Sequence, residues 1–450
     1  MILKLKNLLV LLIFFIVGKT TLNAQAIIIK DDRIDSLIED KVKTKLVGFR
    51  IQICFDSDKN IVNAARTKFS NLYPKIDTYM NFEAPNFNLL VGDFRTRIEA
   101  EKLLEKILGV DGFRIDVAHG LVKENLLTNH PDPQGISDAL RLDVSMDPEI
   151  RYALLPTVPY FDRQGVHEIY RKWRKLFDSY KDREIMAVAE AWVHPPVNAT
   201  RYVRSDELHQ VFNFDLLDAP FKADFLYGVV TRSIELMDSV GALPTWALSN
   251  HDSPRVASRI GEIQARALAL FVMALPGSCY VFAGQELGLP DGEIPDSSRQ
   301  DPIYFRTKGA QKGRDGARVP LPWSGETAPF GFTTGKPWLP LTDKWKELTV
   351  DKQSADPKST LNLYRSALKL RADHLTTQGS ITWLESPEHG TKSSSLLAVR
   401  RGNVSIYMNL SDSPVEVEIT GKLLIMSAGT VDGRDGKMTI PAVSTIWVHH

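Results

Sequence analysis

Cysteine is nearly absent: the 450-residue chain holds two, Cys54 and Cys279. They fall in different segments, which excludes a disulfide scaffold and makes free thiols the expectation. An excess of either charge is missing too, with 55 Lys and Arg against 55 Asp and Glu. No bulk positive field is therefore available to gather nucleic acid. The N-terminal apolar run, Leu8 to Val17, falls well short of the ~20 residues that cross a bilayer. It follows Lys4 and Lys6 and precedes Leu22-Asn23-Ala24, the pattern of a cleavable secretory signal. Residues 1–24 are thus expected to be a signal peptide directing the chain to the periplasm or cell envelope, with no stable membrane anchor. The ten histidines are scattered without zinc spacing. Neither a phosphate loop nor a dinucleotide fingerprint occurs, so no metal or cofactor is expected.

What is present is a globular composition, 43% apolar and 24% charged, long enough for two or three domains. Residues 49–55 (FRIQICF) alternate with Ile51, Ile53 and Phe55 on one face, the period of a half-buried strand. Residues 60–73 repeat Ile61, Ala65, Phe69 and Leu72 at helical spacing. Residues 77–84 and 87–94 read as a hairpin around Pro85-Asn86. Residues 96–108 read as a second amphipathic helix, with Thr96 and Glu99 placed as a capping box. Strand, helix, strand, strand, helix calls for a fourth strand to follow. None does, because at Gly109-Val110 the pattern changes.

From Asp111 to about Leu375 short apolar runs alternate with helical stretches. The strand candidates are 112–118, 185–192, 210–217, 245–250 and 278–287, with helices such as 167–180 and 265–275 between them. This is the organisation of a (β/α) barrel, of which five strands are countable where closure needs eight. Beyond Ser380, short strands without helices between them predict an antiparallel β-sandwich.

Asp116, Glu190 and Asp252 each stand where a candidate barrel strand ends, the rim on which such folds build active sites. Each alone fits a solvated strand end equally well, whereas three carboxylates from three strands suggest a shared site. A retaining glycosidase uses such acids, one as nucleophile and one protonated as the proton donor, roughly 5–5.5 Å apart. Acids that close repel each other's ionisation, which keeps one protonated near neutrality. Arg114, two positions before Asp116, projects to the same side of its strand. It can hold the aspartate ionised or fix the rim as an ion pair.

These motifs resemble the α-amylase superfamily of glycoside hydrolases, family 13, and within it the α-glucosidase and oligo-1,6-glucosidase group. The resemblance rests, in order, on GFRIDVAH (112–119), VAEAW (188–192), SNHD (249–252), QELG (285–288) and GRDGARVPLPWSG (313–325). It implies Asp116 as nucleophile, Glu190 as acid/base and Asp252 as the third catalytic carboxylate. Arg114 accompanies the nucleophile, His251 binds sugar hydroxyls with Asp252, and His119 lines the acceptor side of the cleft. The implied substrates are short α-glucoside oligosaccharides, hydrolysed through a covalent glucosyl intermediate, without a cofactor. The implied fold is α/β: a partial (β/α)8 TIM barrel over residues 110–375, with strands 4–8 recognisable, then the β-sandwich at 380–450. Residues 46–108 resemble the SPOR domain, a βαββαβ module here lacking its last strand, which implies binding to peptidoglycan.

The same family supplies three further strands ahead of GFRIDVAH, and residues 25–108 match none of them. Three alternatives therefore stand beside the hydrolase. One is an α-glucosyl transferase, in which an acceptor sugar replaces water. Another is a non-catalytic cell-wall glycan-binding protein. The third is a fusion at residues 109–111 whose barrel is truncated and inactive, its hydrolase half then belonging to a separate cytoplasmic enzyme.

Overall fold

The computed structural model describes residues 28–30, 49–56, 58–83, 86–96, 99–100, 103, 111–124, 129, 158–181, 183–375, 379–386, 395–434 and 436–450. The expected signal peptide and most of the helix at 96–108 lie outside them. The chain divides into two compact units, Met1–Asp111 and Gly112–His450.

Among its described residues the first unit holds an antiparallel sheet and the helix that follows its second strand. Strands β1 (Ile28–Lys30), β2 (Phe49–Asp56), β3 (Thr78–Glu83) and β4 (Asn86–Phe94) lie in the order β1-β2-β4-β3, and helix α1 (Lys59–Leu72) connects β2 to β3. The Asp58 side chain caps α1 by accepting the Asn60 N–H. Ile51, Phe69, Val91 and Ala100 form the buried core. Phe55, expected on the inner face, is exposed, because two irregularities in the β2–β4 register rotate the end of β2 away from the alternating pattern. The Thr96 hydroxyl accepts the Glu99 N–H while the Glu99 carboxylate accepts the Arg95 N–H, so the capping box forms one residue out of its reciprocal register. The fourth strand comes from upstream: β1 pairs antiparallel with β2, where the sequence pattern called for a strand after the second helix.

The second unit begins with parallel strands. β5 (Gly112–Ile115), β6 (Met186–Ala189) and β7 (Gln210–Val211) form one sheet, and β8 (Thr245–Ala247) with β9 (Ser278–Tyr280) form another. All five expected strands exist, each shorter than its apolar run because the chain turns into a loop as soon as pairing ends. The expected partial TIM barrel, however, is not formed: no sheet among the described residues closes, and the architecture is α/β with separate parallel and antiparallel sheets. The five parallel strands fall short of the eight that closure needs, and between β7 and the β8–β9 pair even the open sheet is interrupted. There the Thr245 hydroxyl donates to the Val211 carbonyl at 2.7 Å and accepts the Asn213 N–H at 3.0 Å, while Gln210 Nε2 donates to the Ser278 hydroxyl at 2.6 Å. Side chains occupy the positions where a continuous sheet would have backbone rungs.

Helices α2 (Gln164–Phe177), α3 (Ala223–Asp238), α4 (Val256–Ile260) and α5 (Glu262–Ala274) flank these strands. From Ala267 to Ala274 α5 is apolar all round and buried, as a helix packed on two sides must be. One side faces α3. The other lies on the C-terminal five-stranded sheet, whose order is β10 (Thr382–Glu385), β11 (Leu396–Arg401), β12 (Val404–Asn409), β17 (Ser444–His449) and β14 (Lys422–Met426). A second sheet of β13 (Val415–Glu418), β16 (Lys437–Ile440) and β15 (Asp432–Arg434) covers its far face. Arg371 and Arg401 donate to the carbonyls of Leu275, Gly277 and Ala274, satisfying the end of α5, where cations are also favoured by the helix dipole.

Trp447 of β17 anchors this junction: it is fully buried and its Nε1–H donates to the Leu270 carbonyl of α5 at 3.1 Å. Trp447→Ala leaves a large cavity and removes the indole hydrogen bond, and is expected to lower stability by about 3–5 kcal/mol. Urea unfolding of the two proteins measures it.

Candidate active site

Register brings the first two carboxylates together. β5 and β6 are adjacent and parallel with Ile115 opposite Ala189, so Asp116 and Glu190 are the next residues out on neighbouring strands. The ladder continues through them, because Glu190 N–H donates to the Ile115 carbonyl at 2.9 Å and Ala118 N–H to the Glu190 carbonyl at 2.8 Å. Arg114 spans the pair: Nη1 lies 2.7 Å from Asp116 Oδ1 and Nη2 2.8 Å from Glu190 Oε2. The Val117 N–H also donates to Glu190 Oε2, at 3.2 Å. Val117 itself has φ 45°, a left-handed conformation costly for a β-branched residue. That strain sits immediately beside Asp116.

The two carboxyls differ in surroundings. The Asp116 side chain is 68% exposed and that of Glu190 only 7%. Asp116 is held below the ordinary carboxylate range, first by a hydrogen bond with Glu190 and then by Arg114, whose attraction outweighs partial burial. Burial pushes Glu190 up, and its hydrogen bond with the Asp116 carboxylate adds to the rise. Of the two, Glu190 is therefore the group that keeps a proton to the higher pH.

Asp252 follows β8, on a turn where the Asn250 carboxamide oxygen accepts the N–H groups of Asp252 and Ser253. Its Oδ1 takes Arg314 Nη1 at 2.8 Å and Arg318 Nη2 at 2.7 Å. Arg318 Nε also donates to the His251 carbonyl at 2.8 Å. Arg314 is fixed from behind by Asp301, which burial would raise but which Arg314 and backbone N–H groups hold down to about 2. These two arginines were not singled out from sequence, although GRDGAR puts them four apart in a glycine-rich loop. His251 is half-exposed, 3.3 Å from Asp252, and its imidazole is lowered first by burial and then by the nearby charges of Arg114 and Arg318. Asp116 in turn feels the charge of His251. Asp116, Glu190, Asp252, Arg114 and His251 thus belong to one electrostatic cluster.

His119 is placed differently. It is 2% exposed, lies edge-on to Phe161 with ring centroids 4.2 Å apart, and accepts the Trp192 N–H at 3.3 Å. Burial lowers its imidazole to about 4, so it stays neutral. Trp192 stacks on Phe214 with centroids 4.2 Å apart, beside a cavity of about 470 Å³ lined also by Phe212, Phe225 and Arg232. Neither Asp116 nor Glu190 faces that cavity. Cys54 and Cys279 are both free thiols.

A buried carboxyl pushed up beside an exposed carboxyl held down, at the ends of parallel strands and bridged by an arginine, is the equipment of retaining glycosyl hydrolysis or transfer. The alpha amylase catalytic domain matches residues 84–379, most of the chain, which therefore belongs to the alpha-amylase family. Similar proteins include the oligo-1,6-glucosidase of Parageobacillus thermoglucosidasius, 26% identical over 347 residues that cover 68% of this chain and 56% of that enzyme. The salivary alpha-glucosidase of Aedes aegypti is 27% identical over 336 residues, covering 69% and 54%. The chain thus spans little more than half the length of these relatives. Among solved structures, the alpha-glucosyl transfer enzyme XgtA is 25% identical with TM-score 0.62, covering 82% of this chain and 69% of that one. Trehalose-6-phosphate hydrolase of Bacillus licheniformis, 21% identical with TM-score 0.60 over 82% of this chain and 73% of its own, shows the shared fold. The comparisons lend no support to a SPOR domain at residues 46–108, and the alpha-amylase match already begins inside that segment, at residue 84. The SPOR reading, and the peptidoglycan partner that followed from it, are withdrawn.

Proposed function

We propose that the chain is an α-glucosidase that acts with retention on terminal α-glucosidic bonds of short oligosaccharides. The observation that carries this reading is the Asp116–Arg114–Glu190 arrangement, an exposed carboxyl held down and a buried one pushed up on adjacent strand ends. Glu190 protonates the glycosidic oxygen while Asp116 attacks C1. The aglycone leaves, and Glu190, now a carboxylate, takes a proton from the water that opens the ester. His251 and Asp252 bind the sugar hydroxyls, Asp252 held in place by Arg314 and Arg318. The same reading puts the protein in the cell envelope through residues 1–24.

Purified protein is expected to release the aryl group from an aryl α-glucoside and to form α-glucose first, as followed by proton NMR before mutarotation. Initial β-glucose, or turnover that survives both Asp116→Asn and Glu190→Gln, would rule the mechanism out. A glucosyl transfer reading is favoured by the likeness to an alpha-glucosyl transfer enzyme. At high maltose, transfer releases one glucose for each trisaccharide formed, whereas hydrolysis yields two glucose per maltose and no trisaccharide, so a trisaccharide-to-glucose ratio near one decides for transfer.

A further inference from the structure

Behind the turn that carries Asp116 lies a buried ionic cluster that the proposed mechanism does not use. His167 on α2 is fully buried, with Nδ1 2.8 Å from Glu207 Oε2. Its Nε2 is 3.4 Å from Asp162 Oδ1, too long for a good hydrogen bond, so that contact is an ion pair. Glu207, also fully buried, takes Arg171 Nη1 at 3.0 Å and Arg204 Nε at 3.6 Å. Asp162 takes Arg201 Nη1 at 3.1 Å and the Tyr202 hydroxyl at 2.8 Å.

The cluster reaches the active-site turn through the backbone. Asp162 N–H donates to the His119 carbonyl at 2.8 Å, and the Tyr170 hydroxyl donates to the Ala118 carbonyl. The Tyr170 and Tyr202 rings pack between these contacts and His167. Residues 117–119, which include the strained Val117 and follow Asp116 directly, are therefore gripped from behind by groups that converge on one imidazole.

We propose that His167 is a positioning residue: as an imidazolium it ties Asp162 and Glu207 into one rigid support, which holds residues 117–119 and so aims the Asp116 carboxylate. The proposal rests on the glucosidase reading of Asp116. Each carboxylate already takes arginine from its outer side, and the His167 ring is the group that stands between the two and can tie them to each other. The surrounding charges agree. Burial and Arg201 oppose protonation of His167, but its contacts with Asp162 and Glu207 outweigh them and raise the imidazole above its ordinary value. A raised imidazole keeps its stabilising charge below the ordinary histidine range and loses it as pH rises through the folded-state value. Support of the turn is therefore lost on the alkaline side.

The test uses the full chain with His167→Gln, and Tyr170→Phe as a second variant that breaks only the link to Ala118. Two readouts are taken from pH 5 to 9: kcat and KM on an aryl α-glucoside, and amide hydrogen exchange of residues 112–121, with residues 444–450 as control. Expected for His167→Gln is a kcat lower by about 10- to 100-fold at nearly constant KM, with faster exchange at Ala118 and Gly120 and an unchanged control segment. In the wild type, protection at 112–121, corrected for intrinsic rates, falls as pH rises through the His167 titration; the variant lacks that step. Unchanged exchange at 112–121 in the variants overturns the proposal, as does an increase that spreads equally to the control. A wild type without turnover overturns the glucosidase reading and with it the catalytic part, while the exchange arm alone still decides whether His167 holds the turn. If His167→Gln does not fold, Tyr170→Phe decides, with faster exchange supporting the proposal and wild-type exchange overturning it.

Discussion

Asp116→Asn is expected to lower kcat on an aryl α-glucoside by about 10⁴-fold or more, since it deletes the nucleophile and leaves only binding and electrostatics. The amide keeps the shape of the side chain but cannot form the ester. It also cannot receive the Glu190 proton as an anion does, so the shift that keeps Glu190 protonated is weakened. Glu190→Gln removes the acid instead, and its effect depends on the leaving group. A nitrophenolate needs little protonation and a sugar needs much, so Glu190→Gln should impair maltose cleavage far more than aryl glucoside cleavage, by about 10²- to 10⁴-fold. Azide separates the two roles through the product it gives. With Asp116→Ala it enters from the face the carboxylate vacated and yields the β-azide; with Glu190→Ala it attacks the ester and yields the α-azide. Rescue with the opposite pairing of variant and anomer would exchange the roles assigned to these residues. Rescue of neither, with both variants folded, would remove the carboxyl pair from the chemistry.

Much of this site is legible in the sequence because it is local to strand ends. An apolar run that stops at a carboxylate places the group at a strand tip, and parallel pairing with Ile115 opposite Ala189 then sets Asp116 and Glu190 side by side. The arginines on Asp252 are different. Arg314 and Arg318 stand 62 and 66 residues away in sequence, and only the folded loop brings them to that carboxylate. The burial of His119 was hidden for a related reason: it depends on Phe161 and Trp192 from two other segments. Strand existence was readable from apolar alternation, but sheet closure was not. Whether Val211 meets β8 through backbone or through the Thr245 hydroxyl is a matter of ångströms that no hydrophobic pattern records. β15 and β16 went unread because Gly433, Asp435 and Gly436 interrupt any alternation there.

The second large effect belongs to Arg114, and it is expected as a displacement of the pH profile together with a loss of rate. Activity requires Asp116 ionised and Glu190 protonated. It therefore rises as pH passes the Asp116 value, which is lowered, and falls as pH passes the Glu190 value, which is raised. Arg114 pulls both carboxyls toward ionisation, being bonded to each. Arg114→Met takes that cation away and leaves Glu190 buried without it, so both values rise and the whole bell moves to higher pH. The acidic limb then cuts into the working range from below, and at every pH the Asp116 anion is no longer oriented. A fall in kcat of about 10²- to 10³-fold follows, of the order seen when one preorganised charge partner is removed. Arg114→Lys tests whether charge or shape carries the effect. The guanidinium reaches Asp116 with one terminal nitrogen and Glu190 with the other, a fork that a single ammonium cannot reproduce. Lysine should therefore return part of the pH profile and little of the rate. A profile of kcat/KM for Arg114→Met whose limbs stay in place would show that the pair is set by its own hydrogen bond, with Arg114 no more than a tie across the strand ends.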